Sequence, residues 1–250
     1  MDATLHRPEE VLLQVQEVHV SYGKAEVVHG ASLDVRKGEF VVLLGRNGAG
    51  KSTLLHAISG LIPKQSGRVR FAGQDISQLS ARDIVQAGIV QVLEGHRVFH
   101  SLSVEDNLLL GTYANAPHGD RSKLERIYAM FPEMAERKQQ MASRLSGGQQ
   151  QILAVAQGVI GDPQLLIMDE PSSGLAPMVI DRILDVASQL CSQGMAILLV
   201  EQLVDKALRH AHYGYLMETG RMAASAFSQE LREGDLLQRV YLGGEHKAHA

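Results

Sequence analysis

The sequence predicts an α/β fold, a buried largely parallel sheet flanked by helices, with an all-helical lobe inserted into it. Three observations carry that prediction. Gly45-Arg46-Asn47-Gly48-Ala49-Gly50-Lys51-Ser52 fits Gly-x4-Gly-Lys-[Ser/Thr] and joins the unbroken apolar run Phe40–Leu44 to residues at helical spacing, Leu54, Leu55, Ile58, Leu61 and Ile62. Two further apolar runs, Leu165–Met168 and Met195–Val200, read as buried strands that end on Asp169-Glu170 and Glu201-Gln202. From about residue 92 to 160 the pattern turns helical instead.

Composition narrows the class. A chain of 250 residues with 45% hydrophobic content can bury a full core, and it is read as one domain with lobes. A net charge of −4 argues against a nucleic-acid partner, whose binding surface would show a basic excess. No run approaches 18 consecutive apolar residues, and Met1-Asp2-Ala3-Thr4 lacks a charged-then-apolar leader pattern, so the expectation is a soluble protein that stays where it is made. The single cysteine, Cys191, lies on the apolar face of Ile180, Ile183, Leu184, Ala187 and Leu190, which points to packing. Eleven histidines invite a metal site, but none form His-x3-His, and His246 and His249 fall in a polar tail.

The elements follow in order. Residues 1–10 read as a loose lead-in. Leu13, Val15, Val18, Val20 and Tyr22 alternate with polar residues as half-exposed strands do. Gly38-Glu39 turns the chain into the Phe40–Leu44 strand, and Ser66–Gly73 reads as a short strand between turns, followed by a helix from Ser80 to Ala87. Ser103-Val104-Glu105-Asp106 has helix-capping spacing before Leu108-Leu109-Leu110. Pro117–Asp120 marks a loop, and the stripe Leu124, Ile127, Tyr128, Phe131 stops at Pro132. A closing helix over Leu203–Ala211 precedes a hairpin, Tyr213–Met217 with Met222–Ala224, turning at Thr219-Gly220.

Three segments carry chemistry. Glycines let the 45–52 backbone curl so that successive N–H groups point inward, and the following helix aims its positive end at the same place. That is a phosphate cradle for a nucleotide, with Lys51 reaching the β/γ-phosphates and the Ser52 hydroxyl ligating Mg²⁺. Asp169 and Glu170, at a parallel strand end, arrive at the same sheet edge. Asp169 can hold the metal opposite Ser52, and Glu170 can polarise the water that attacks the γ-phosphate. Leu145-Ser146-Gly147-Gly148-Gln149 opens a second helix start with little side-chain bulk, Ser146 at its N-cap. One triphosphate has no use for two distant cradles in one chain, so this one suits nucleotide held by another copy.

Taken together these segments resemble the ATP-binding cassette of ABC transporters, and the likeness runs from Leu13 to Gly244. It implies a RecA-like mixed-sheet core (about 11–91 and 161–225), an N-terminal antiparallel β lobe, an inserted helical subdomain (about 92–160) and a C-terminal segment, 226–250. It further implies head-to-tail pairing with a second cassette, ATP and Mg²⁺ being bound at the shared interface. Tyr22 then matches the aromatic that stacks on adenine, residues Gly45 through Thr53 hold the phosphates, and Ser146, Gly147, Gly148 and Gln149 contact the partner's nucleotide. Within the family the chain is most similar to the LivF type of branched-chain amino acid importer, on four stretches: Glu94–Phe99 with Leu102–Leu108, Pro171–Pro177, Val200-Glu201-Gln202, and Tyr241–Gly244.

That likeness implies a homodimer or a heterodimer with a LivG-like cassette, two transmembrane permease subunits, and an extracytoplasmic substrate-binding protein acting indirectly. It places the chain in the cytoplasm, peripheral on the inner face of the membrane, with a surface around residues 95–113 receiving a short permease helix. Four positions depart from the common cassette pattern. Glu94 stands where a glutamine is usual, and still offers an oxygen to Mg²⁺ or water. Gln202 replaces the switch histidine and can hydrogen-bond a γ-phosphate oxygen but cannot become cationic. Ala176 replaces a bridging aspartate, and Gln157 an arginine. The alternatives are a cassette serving another solute or a lipid or lipopolysaccharide exporter, and a non-transport cassette such as an iron–sulfur assembly ATPase.

Overall fold

The computed structural model describes residues 6–116, 119–234 and 237. Two sheets organise it. The larger has six strands in the order β10-β9-β3-β8-β7-β6. Its members are β3 (Phe40–Leu44), β6 (Ile89–Val92), β7 (Leu165–Asp169), β8 (Ala196–Glu201), β9 (Tyr213–Glu218) and β10 (Arg221–Phe227). All pair in parallel except β10, which runs antiparallel to β9. Every residue of β3, β7 and β8 is buried, as expected of strands covered on both faces.

The strand alternation divides the core in two. Phe40, Val42, Leu44, Leu166, Met168, Ile197 and Leu199 pack toward α6 (Gly147–Val159), α7 (Pro177–Ser192) and α8 (Val204–His210). Val41, Leu43, Leu165, Ile167, Leu198 and Val200 pack on the opposite side with α1 (Lys51–Ile58) and the second sheet. That sheet is antiparallel, in the order β2-β1-β4-β5, formed by β1 (Val11–Tyr22), β2 (Ala25–Arg36), β4 (Ser66–Phe71) and β5 (Gln74–Asp75). Cys191 packs in the first core, donates to the Gly38 carbonyl at 3.3 Å, and burial pushes its thiol up to about 11.

Several sequence expectations need correction. Nothing in the alternation predicts a strand between residues 23 and 37, yet β2 is one of the longest in the chain. Its pairing with β1 slips around Val15 and Val18, where Glu17 (φ +45°) and Gly30 (φ +70°) make a bulge that breaks the period-two pattern. The alternating stretch before Tyr22 is one bent strand for the same reason. Short β6 also has no counterpart in the sequence reading. The lead-in is not loose throughout: Arg7 Nε donates to the fully buried carboxylate of Glu39 at 2.6 Å, a charge that requires a cation. Pro132 does not merely stop a helix, since it also opens α5 (Pro132–Ala135) directly after α4 (Leu124–Met130). Pro117, His118, the stretch Tyr241–Gly244, His246 and His249 lie outside the described residues.

Between β6 and β7 the chain forms α3 (Val104–Leu110), α4, α5 and α6, with Ser103 capping α3 through the Asp106 N–H. α2 (Ala81–Ala87) precedes β6, with Ser80 as its cap. Gly111, at the end of α3, lies so close to α6 that an added Cβ would sit 2.1 Å from the Gln157 carbonyl oxygen. This contact gives the Gln157 backbone a role that its side-chain type does not reveal. Gly111→Ala should therefore force α3 and α6 apart and destabilise the chain by about 1–3 kcal/mol. Thermal denaturation would show this as a lower Tm, by about 2–4 °C for each kcal/mol.

Candidate nucleotide site

The candidate site lies where β3, β7 and β8 release the chain at their C-terminal ends, the sheet edge where ligands of such folds bind. Leaving β3, the backbone turns at Gly48 (φ +79°) and Gly50 (φ +99°), conformations that favour glycine, and enters α1 at Lys51. Gly45 is required for a different reason: a Cβ there would meet the Met217 carbonyl oxygen at 2.3 Å. Gly48 faces open space.

Lys51 is only 4% exposed. Its ammonium donates to the carbonyls of Gly45 (2.8 Å) and Arg46 (3.2 Å) and pairs with Glu170 Oε1 at 3.3 Å. Ser52 Oγ donates to Asp169 Oδ1 at 2.9 Å, and His56 Nε2, one turn further along α1, lies 3.9 Å from Asp169 Oδ2. Glu170 itself has φ +44°, a conformation uncommon for a residue with a side chain and concentrated at functional sites. Gln202 Nε2 donates to Glu170 Oε2. A cavity of about 570 Å³ opens here, lined by Val27, residues 47–53, Glu94, Glu170, Ser173 and Gln202.

The electrostatics follow from burial. Asp169 is 2% exposed, and desolvation holds its carboxyl above the ordinary carboxylate range. The hydrogen bond from Ser52 and the nearby His56 oppose that shift, while Glu170 and Glu94 add to it. Asp169, Glu170 and Glu94 thus gather here with Lys51 paired to Glu170 and His56 beside Asp169, an arrangement suited to a bound cation. Among the described residues no three His, Cys, Asp or Glu side chains are placed to hold a metal by themselves. A hydroxyl and a carboxylate in contact, Ser52 and Asp169, nevertheless match the oxygen-donor set of Mg²⁺, which takes its other ligands from phosphate and water.

The structure thus brings together Asn47, Gly48, Ala49, Gly50, Lys51, Ser52, Thr53, Glu94, Asp169, Glu170 and Gln202. Gly45 and Arg46 join through their carbonyls. Tyr22 does not line the cavity; it is 53% exposed at the β1–β2 turn, and Val27 from β2 forms the wall instead. Gln91 lines a different cleft, together with Gln157. Ser146, Gly147, Gly148 and Gln149 stand apart from the cavity at the start of α6. There Ser146 Oγ accepts from Gln149 N while Gln149 Oε1 accepts from Ser146 N, a reciprocal cap. Gly148 must be small because a Cβ would meet Val179 Cγ2 at 2.9 Å, whereas Gly147 faces open space. Val27, His56 and Ser173 escaped sequence reasoning. Only His56 carried a signal, its place on α1 one turn past Ser52.

A family model described as ABC transporter matches residues 28–173, more than half of the chain. The chain belongs to the ABC transporter family. The high-affinity branched-chain amino acid transport ATP-binding protein BraG of Pseudomonas aeruginosa is 38% identical over 233 residues, spanning 93% of this cassette and 100% of that protein. The "Probable branched-chain amino acid transport ATP-binding protein LivF" of Archaeoglobus fulgidus is 31% identical over 236 residues, spanning 93% and 99%. Among solved structures, the ADP conformation of MJ1267, an ATP-binding cassette of an ABC transporter, shares the fold with a TM-score of 0.82 at 23% identity, over 94% of this cassette and 99% of that chain. The α/β cassette fold expected from the sequence is borne out, as is membership of the LivF/LivG type. The cassette is an ATPase that couples hydrolysis to transport.

The buried Asp169 carboxylate has a measurable consequence. Its folded-state pKa lies above the ordinary value, so ionising it costs stability. The cost appears as pH rises through the unfolded value of about 3.9 and is complete above the folded value. Asp169→Asn, which keeps an oxygen for Ser52, should raise the Tm of the nucleotide-free chain at neutral pH. Differential scanning calorimetry should show the advantage shrinking as pH falls toward the ordinary carboxylate range.

Proposed function

We propose that this cassette energises the uptake of branched-chain or related amino acids, as the ATP-hydrolysing subunit of an importer. The observation that carries the proposal is the likeness to BraG, 38% identity over the whole of that protein's length. The Pro171–Pro177 loop and the Val200-Glu201-Gln202 strand end, read from the sequence as LivF-like, agree with it.

The residues divide the work. The N–H groups of Gly48–Ser52 and the Lys51 ammonium bind the β/γ-phosphates of ATP, while exposed Tyr22 covers adenine from the β1–β2 turn. Ser52 and Asp169, with Glu94, would hold Mg²⁺, which would supply charge neutralisation at the phosphates. Glu170 accepts the proton of the attacking water, and the Gln202 amide donates toward a γ-phosphate oxygen. Ser146, Gly147, Gly148 and Gln149 serve the nucleotide of a second cassette, for which the open side of Gly147 leaves room. That second cassette is a copy of this chain or a LivG-like partner.

Coupling runs through the segment before α3. Asn107 is fully buried and clamps it, accepting from Phe99 N (2.7 Å) and donating to the carbonyls of Phe99 (3.0 Å) and Ser103 (2.9 Å). The clamp leaves the Phe99 ring 55% exposed, an apolar surface for a permease helix. Among the described residues no helix is long and apolar enough to cross a membrane. In this reading the cassette meets the permeases peripherally, on the cytoplasmic face. An extracytoplasmic binding protein would deliver the solute.

Glu170→Gln should lower steady-state ATPase turnover by about a hundredfold or more while ATP still binds. Light scattering of that variant with Mg-ATP should show a dimer, formed alone or with a co-expressed LivG-like cassette; a monomer in both settings would refute the shared site. Deletion of the gene should abolish high-affinity leucine uptake, and unchanged uptake of all branched-chain amino acids would refute the solute class.

A further inference from the structure

Glu201 ends β8 and is 1% exposed. Among the described residues its carboxylate meets no cation; it is satisfied by hydrogen bonds alone. Oε1 accepts from Ser172 N at 3.1 Å, and Oε2 accepts from Ser172 Oγ at 2.7 Å and Gln202 N at 3.1 Å. With a longer bond from Leu203 N to Oε2 at 3.5 Å, four donors thus converge from two different loops. One loop follows β7 and carries Glu170; the other follows β8 and carries Gln202.

A buried carboxylate without a cation is an expensive way to join two loops. Desolvation pushes the Glu201 carboxyl above its ordinary range, against the pull of these hydrogen bonds. An apolar side chain would fill the space at lower energetic cost, so packing alone does not account for a glutamate here. What the carboxylate adds is geometry. The Glu170 backbone is held at φ +44°, with its N–H on the Val200 carbonyl at 3.0 Å and its own carbonyl accepting from Ser173 N at 3.1 Å. An unfavourable conformation of this kind persists only where its surroundings restrain it. The Ser172 anchor supplies that restraint two residues downstream, and the same carboxylate holds the backbone of Gln202, whose side chain donates to Glu170.

We propose that Glu201 is a positioning residue that locks the Glu170 loop to the Gln202 loop and so sets both side chains for ATP hydrolysis. The proposal rests on the hydrolytic roles given above to Glu170 and Gln202. It separates two functions of the site. Phosphate binding through Gly48–Ser52 and Lys51 does not depend on Glu201, whereas turnover does.

The test uses the full chain and measures MANT-ATP affinity, steady-state ATPase and Tm for wild type, Glu201→Gln, Glu201→Asp and Ser172→Ala. Glu201→Gln turns an amide N–H₂ toward donors and should lower kcat by about tenfold or more, with nucleotide affinity within about twofold. Ser172→Ala, which removes one of the four bonds, should give a smaller fall, and Glu201→Asp should recover part of the loss. Wild-type kcat in Glu201→Gln would overturn the proposal, as would equal losses of kcat and affinity. Should Glu201→Gln not fold, Ser172→Ala carries the same test through its split between kcat and affinity. Failure of the wild-type chain to bind MANT-ATP would instead overturn the nucleotide site itself.

Discussion

The buried ammonium of Lys51 is the constraint around which the rest is arranged. An ammonium 4% exposed is tolerable only if its hydrogen bonds are met and its charge is answered. The Gly45 and Arg46 carbonyls meet the first requirement, because the loop folds back over the first turn of α1. Glu170 meets the second. Both carbonyls follow the end of β3, Lys51 opens the helix after it, and Glu170 follows the end of β7. The parallel order β3-β8-β7 therefore acts as the scaffold of the site. A shift in register of β3 against β7 would pull a partner away from the lysine, and β8, which lies between them, fixes that register.

Such a scaffold explains which parts of the molecule were legible in the sequence. Strands buried on both faces have to be apolar throughout, so Phe40–Leu44, Leu165–Met168 and Met195–Val200 stood out as unbroken runs. Capping residues were legible because the backbone N–H groups at a helix start demand an acceptor, and Ser103 and Ser146 each supply one; Ser80, read as the first helical residue, is a cap as well. Strand β2 was not legible. Its hydrophobic positions change phase across the bulge at Glu17 and Gly30, and no local pattern reports a bulge whose two halves lie on different strands. Strand β6 is only four residues long and half-buried at two of them, which leaves no run to see.

Residues of the site divide along the same line. Those whose chemistry depends on local spacing, the glycines with Lys51 and Ser52 or the paired Asp169-Glu170, could be read directly. Those that depend on a crossing of distant segments could not. Val27 reaches the cavity only because β2 pairs with β1, and Ser173 only because the loop after β7 is drawn toward β8. Glu201 was visible as part of a strand end but not as a hub, since its partners include a residue nearly thirty positions earlier.

The charge balance of the site gives its two departures from the common cassette pattern a shared physical sense. Glu170 and Glu94 line the cavity with Asp169 close behind them, Lys51 is the permanent cation among the lining residues, and Gln202 adds none. That surplus of negative charge repels a triphosphate less when a divalent cation enters with it. A histidine at position 202 could share that burden by taking up a proton, whereas a glutamine cannot. Glu94, an acid in place of an amide, shifts the balance further in the same direction. On the roles proposed for these residues, nucleotide binding would depend on the metal more than at a site with the amide and the histidine. What glutamine offers in exchange is constancy: its amide donates to Glu170 irrespective of pH, and the hydrogen bond that holds the two side chains together does not titrate away as the surroundings become alkaline.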